Sequence, residues 1–165
     1  MPDVFTHFLV GASIALLVFR ADNRPKQMLI ILGALLIDIE RPLSWLLSIT
    51  EFWWIDLSSA FHSILGAIVL SYFAAACFVS EDISFRTRFT LILIGCSSHL
   101  LLDMTMYPWS EMGLFLLYPL KIPFSFNLLW SDYWLYPVFG GICLLAVLSI
   151  RLLMIFIKSN TENGD

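Results

Sequence analysis

Charge is scarce in this chain. Asp, Glu, Lys and Arg make up 13% of its residues, about half the share of an ordinary soluble domain. Nine basic residues, with no basic stripe among them, exclude a nucleic-acid binder. Cysteine is also rare: Cys77, Cys96 and Cys143 are odd in number, far apart and set in apolar stretches. That excludes a disulfide framework and reads as small buried hydrophobes. No internal repeat is visible. A secretory signal is not expected. The chain opens on Asp3 instead of a basic region, His7 interrupts the first apolar run, and no small-residue cleavage site follows.

Apolar sequence is what remains. The 165 residues are 59% hydrophobic, with a mean hydropathy of +0.86 and a net charge of −4. The length suits one domain. The composition is that of a membrane protein and excludes a soluble all-helical enzyme.

Five helices are expected. The first runs from about Val4 to Phe19, and the second starts near Gln27 and continues through MLIILGALLI. The third covers about Leu57 to Val79, the fourth Phe89 to Met106 and the fifth Tyr133 to Ile157. A span needs roughly 20 residues, so the first and fourth are short. Pro42 donates no amide and disfavours helix at Arg41, which predicts a kink or break there. Between the fourth and fifth helices, Tyr107 to Asp132 holds Pro108, Pro119, Pro123 and the run GLFLLYPL. That run is too short to span and reads as re-entrant or interfacial. Trp109, Trp130, Trp134, Tyr107, Tyr118, Tyr133 and Tyr136 crowd the region, as interfacial aromatics do. Asp132 is placed to cap the fifth helix. The expected fold is all-α: a polytopic membrane helical bundle over residues 1–158, followed by a disordered polar tail at 159–165.

Basic residues set the expected orientation. Arg20, Arg24, Lys26, Arg86, Arg88, Arg151 and Lys158 fall on one side, leaving Arg41 and Lys121 on the other. The richer side is the cytoplasmic one, so the N-terminus lies outside and the C-terminus inside.

Against that apolar background the ionisable residues stand out. The chain has three histidines, His7, His62 and His99, each inside a strongly apolar stretch. Asp38 and Asp103 share the habit. Such groups are expensive in hydrocarbon and face an interior cavity, where they pair or bind something. At 1.5 Å per residue Asp38 lies about 16 Å along its helix, His99 about 15 Å and Asp103 about 21 Å along theirs. His7 and His62 enter from the outer side. All five therefore fall between the mid-plane and the outer face. His99 and Asp103, at i and i+4, share one helix face. Imidazole with carboxylate suits Zn²⁺ or a similar divalent ion, and Asp38 and His62 complete a two-His, two-Asp set. The competing reading is a buried hydrogen-bonded pair. His7 is a further ligand, a base or a satisfied core histidine. Glu40 reaches the site only if the helix breaks before Pro42. Arg41 either neutralises Asp38 or Glu40 or clamps an anionic group. Ser63 and Ser98 adjoin histidines and support or pack against them. Gly11, Gly33, Gly66 and Gly95 permit close helix packing. Asp56 and Glu111 read as solvated loop charges.

These segments resemble the YdjM-like family, LexA-regulated proteins of the inner membrane assigned as metal-dependent hydrolases. The likeness rests on Thr6-His7, GALLIDIE (Gly33 to Glu40), His62-Ser63, GCSSHLLLD (Gly95 to Asp103), and Gly113 with LLYPL (Leu116 to Leu120). It covers roughly residues 5 to 120. Ile37 stands where the family has Pro, and Glu40 where it has a second Asp. Leu57 and Ser58 lie near the place of a His-Arg pair. The order His, Asp, His, HxxxD also resembles that of zinc-dependent phospholipases C and single-strand-specific zinc nucleases. By that analogy Asp38, His62, His99 and Asp103 hold one ion, and His7 with Asp103 serves a second.

Two functions are expected from these readings. The first is a metal-dependent hydrolase, zinc its ion, acting at the outer face of the inner membrane on a lipid or lipid-linked phosphoester. The second is a non-catalytic membrane protein whose polar cluster is structural, metal-binding or part of a transport path.

Overall fold

The computed structural model describes residues 3–19, 23–48, 57–105, 114–126 and 135–162. Among them the chain is all-helical: α1 (Val4–Val18), α2 (Arg24–Leu36), a 3-10 turn (Ile37–Ile39), α3 (Glu40–Ser48), α4 (Leu57–Phe61), α5 (Ile64–Cys77), α6 (Phe85–Met104) and α7 (Leu135–Glu162). The cap at Asp132 and the aromatics Tyr107, Trp109, Trp130, Tyr133 and Trp134 lie outside the described residues.

Helix starts follow the local chemistry. The Asp3 carboxylate accepts the Thr6 amide and hydroxyl, both at 2.9 Å. The Ser84 hydroxyl accepts the Thr87 amide at 3.3 Å and begins α6 four residues before the expected start. Such caps satisfy amides that a first helical turn leaves without partners.

Two interruptions matter for the site. The break expected at Arg41 falls earlier, in the tighter turn at Ile37–Ile39, and α3 runs on through Pro42. Pro42 has no amide to offer the carbonyl four residues back, that of Asp38, so the winding changes around Asp38. The expected third helix is not continuous. It stops at Phe61 and restarts at Ile64, with Ser63 in an extended conformation (φ −122°, ψ 161°). The Ser63 hydroxyl accepts the Gly66 amide at 2.9 Å and donates to the Ala60 carbonyl at 2.7 Å. Gly66 permits the fold-back, because a Cβ there would run into the Ala60 carbonyl oxygen.

The core lies between α2, α5 and α6, where Ile30, Ile37, Ala75, Ile92 and Cys96 are fully buried. α2 and α6 cross at backbone contact. A Cβ on Gly33 would strike the Ile92 carbonyl oxygen, and one on Gly95 would strike that of Ile30. At the other end of α6 the buried Arg88 guanidinium donates to the carbonyls of Ala75 (3.0 Å), Ser80 (3.1 Å) and Ile83, tying the α5–α6 connection to the helix.

The run GLFLLYPL is no helix where it is described. Leu114 and Phe124 pair as an isolated antiparallel bridge. The loop they close is held between two helices: the Ile64 amide donates to the Leu116 carbonyl at 3.0 Å, and the Phe126 amide to that of Met104 at 2.8 Å. It therefore joins the start of α5 to the end of α6.

α7 packs on α1 through Gly140, where a Cβ would touch Leu9 and Thr6. Its stretch Leu135–Ile157, 23 residues, is long and apolar enough to cross a membrane. At 1.5 Å per residue it spans about 34 Å, against about 30 Å of hydrocarbon. Little of it is buried, and Ile142, Leu145, Leu152, Leu153, Ile155 and Phe156 are exposed. A core helix of a soluble protein would have covered these side chains. Two further apolar helices, α1 and α5, are shorter, at 15 and 14 residues. Of the cysteines, all free, Cys96 is buried as expected, while Cys77 is exposed and Cys143 half-buried.

Candidate metal centre

The five ionisable residues singled out in the apolar stretches come together. His7 arrives from α1, Asp38 from the 3-10 turn, His62 from the α4–α5 break, and His99 and Asp103 from α6. All five are buried, the three histidines at 1% exposure. Asp103 is the hub. Its Oδ1 lies 3.4 Å from His7 Nε2, and its Oδ2 lies 3.5 Å from His62 Nε2 and 3.2 Å from His99 Nε2. Two sets of three, His7–His99–Asp103 and Asp38–His62–His99, hold their ligand atoms within 4.8 Å of one another, close enough to bind a metal ion. The expected partition separated His7 from His99; the structure draws both to Asp103, with His99 shared between the sets.

The orientation of the rings is set by the backbone. His99 Nδ1 lies 2.7 Å from the Ala34 carbonyl, and His62 Nδ1 lies 3.1 Å from that of Ser58. A carbonyl only accepts, so each Nδ1 carries the proton and each Nε2 presents a lone pair. The Gly33–Gly95 crossing makes the first contact possible: Ala34 follows Gly33, and His99 sits one turn past Gly95. The α4–α5 break sets the second. A backbone carbonyl on the far nitrogen is the usual support of a metal-ligating imidazole.

The lone pairs are left facing one another. His62 Nε2, His99 Nε2, both nitrogens of His7, and both oxygens of Asp38 and Asp103 are buried without a hydrogen-bond partner among the described residues. Each such atom costs roughly 1–3 kcal/mol. Seven of them, setting aside Asp38 Oδ1 beside the Arg41 guanidinium, would together consume a typical total stability of about 5–15 kcal/mol. A bound cation removes the penalty. The spacing fits one: donors about 2.0–2.1 Å from a tetrahedral ion lie about 3.3 Å apart, and the three histidine–Asp103 separations are 3.2, 3.4 and 3.5 Å. Direct charge-assisted hydrogen bonds would be shorter, about 2.7–2.9 Å.

The neighbouring residues take supporting places. Arg41 Nε lies 2.9 Å from Asp38 Oδ1, an ion pair outside hydrogen-bond geometry, with the Arg41 side chain 43% exposed. Glu40 is buried and accepts the Ser44 hydroxyl at 3.0 Å; it belongs to neither metal-competent set. Ser63 caps α5, and the Ser98 hydroxyl donates to the Gly95 carbonyl at 2.7 Å. Both serines thus shape the backbone beside a histidine. Tyr136, one of the aromatics expected at the interface, is 2% exposed, its hydroxyl has no partner among the described residues, and the charge of Asp103 acts on it. Nothing in its local sequence distinguishes it from the aromatics around it.

A buried His/Asp cluster capable of holding a metal, on a scaffold that among the described residues is all-helical with one membrane-length helix, defines the class. The profile of the YdjM inner membrane protein family matches residues 1–161, and the chain belongs to that family. It is accordingly a membrane-associated protein. No match was found among curated proteins or among solved structures.

Proposed function

We propose that this protein is a zinc-dependent hydrolase built into the inner membrane, acting at the outer face on a lipid or lipid-linked phosphoester. The observation that carries the reading is the pair of buried Nε2 lone pairs, of His62 and His99, gathered on Asp103 while their ring protons face backbone carbonyls. Asp38, His62, His99 and Asp103 hold the ion. A bound zinc lowers the pKa of its water and polarises a phosphoryl oxygen.

The remaining roles fall to the chain. His62 and His99 have their tautomers fixed by carbonyls, which suits permanent ligands. His7 has neither nitrogen held, so its ring can take up a proton and pass it on. Its imidazole stacks on that of His99, which keeps it beside the ligands. Arg41, partly exposed and next to Asp38, orients an anionic group at the edge of the site.

A polytopic arrangement supports a lipid substrate. Besides α7, the outward faces of α5 and α1 are apolar, with Leu65, Phe73 and Leu17 more than half exposed. With seven of nine basic residues on one side, the N-terminus lies outside and the site opens toward the outer leaflet.

The test uses zinc-loaded protein reconstituted in vesicles of anionic phospholipid, with release of phosphorylated headgroup or phosphate measured by mass spectrometry. Turnover that a chelator abolishes and zinc restores is expected. Stoichiometric zinc with no turnover across phosphoester lipids would favour a metal-binding or transport role instead.

A further inference from the structure

The Tyr136 hydroxyl is the remaining buried side-chain atom without a hydrogen bond among the described residues. The other such atoms are the acceptors of the cluster, apart from whichever His7 nitrogen carries its proton. A phenol can donate. A buried donor with nothing to donate to thus lies within the electrostatic reach of Asp103 without bonding to it.

The packing of α7 fixes this placement. Gly140 rests on Leu9 and Thr6 of α1, with Leu9 Cβ 3.1 Å and Thr6 Cγ2 3.6 Å from where its own Cβ would be. Tyr136 is one turn earlier on the same face of α7. It is thereby held at the α1 end that carries His7, within the field of Asp103. The ligands come from α1, the 3-10 turn, the α4–α5 break and α6, and α7 supplies none of them.

We infer that Tyr136 donates a hydrogen bond to the oxygen of an exogenous oxyanion, such as a phosphoryl group, bound at the metal centre. The inference rests on the metal reading above. Its chemistry is that of an oxyanion donor: the phenol is neutral, fixed and dry, and it stabilises negative charge on the ligand oxygen without competing for the metal. It makes Tyr136 a specificity-determining residue, favouring ligands that place an anionic oxygen on the ion over a neutral one.

The test compares wild type and Tyr136→Phe as full-length protein in detergent, loaded with Co²⁺ in place of zinc. Cobalt affinity is read from the visible absorption bands, and binding of inorganic phosphate from the change in those bands. Tyr136→Phe should bind cobalt within about twofold of wild type and phosphate at least about tenfold more weakly, the weight of a hydrogen bond to a charged oxygen. Equal phosphate affinity in the two proteins overturns the inference while leaving the metal reading intact. Loss of cobalt in Tyr136→Phe also overturns it, because the phenol would then be supporting a ligand. Absence of cobalt from the wild type overturns the metal reading and this inference together. Chloride serves as the control anion and should show no difference between the two proteins.

Discussion

The imidazole of His7 lies flat on that of His99, centroids 3.5 Å apart and planes within 8°. One ring comes from the first helix and the other from the sixth. Stacking at this distance leaves no room for both rings to be charged, since two cations at such a spacing repel strongly in a dry interior. The pair therefore carries at most one positive charge between the two rings. Several measurable consequences come from the way these residues are held.

The α2–α6 crossing sets the geometry of His99. Gly95→Val should force the helices apart, because a Cβ at Gly95 has no space against Ile30 and Ala34. Overpacking of this kind costs about 1–3 kcal/mol. Thermal unfolding in detergent should show a clear loss, with weakened metal binding as His99 leaves the Ala34 carbonyl. Gly141→Ala is the matched control. Nothing lies within 4 Å of its Cβ position, so stability should hold or rise slightly.

The cap at Ser63 supports His62. Ser63→Ala removes both the bond to the Gly66 amide and the bond to the Ala60 carbonyl. A stability loss of about 1 kcal/mol is expected. Metal affinity should fall further than that loss alone explains, because the break that aims His62 is loosened. Calorimetric titration with zinc, set beside the melting curve, separates the two effects. Unchanged affinity would mean that the break holds without its cap.

Arg88 is structural and remote from the cluster. It sits near the start of α6, some 15 residues before Asp103 and hence about 22 Å away along the helix. Arg88→Met should leave three carbonyls without their donor and lower the melting temperature markedly. Zinc content per folded chain should not change. A loss of zinc in a folded Arg88→Met protein would show that the two ends of α6 are coupled.

Arg41 should behave in the opposite way. Its side chain is partly exposed, so solvent screens its charge at the edge of the site. Arg41→Gln should melt close to wild type and retain its zinc, while KM for an anionic lipid rises with kcat little changed. An unaltered KM would assign Arg41 to Asp38 alone.

Much of the site could be read along the chain because the surroundings are so apolar. An ionisable group is conspicuous in LILIGCSSHLLLD, and the i, i+4 spacing of His99 and Asp103 fixes their shared face without tertiary information. Helices α1 and α6 were legible for the same reason, since long apolar stretches have few alternatives. The α4–α5 break was not. It depends on Gly66 meeting the Ala60 carbonyl, a contact made only after the chain turns; a capping serine three residues ahead of a glycine was the one signal available. The carbonyl anchors of His62 and His99 were invisible, because backbone acceptors leave no mark in the sequence. Tyr136 was hidden among like neighbours: an aromatic at an interface and one buried over a polar cluster read alike until α7 is docked. The loop at 114–126 read as re-entrant or interfacial by length and hydropathy, and its backbone bonds that join α5 to α6 were not visible in the sequence.

The central claim is that the lone pairs around Asp103 exist to hold a metal ion. Elemental analysis of detergent-purified protein, wild type beside His99→Ala and Asp103→Asn, tests it most directly. The account predicts near-stoichiometric zinc in the wild type and a collapse in both variants, with helicity by circular dichroism retained. Metal-free wild type that still fails to take up zinc or cobalt on addition would contradict it.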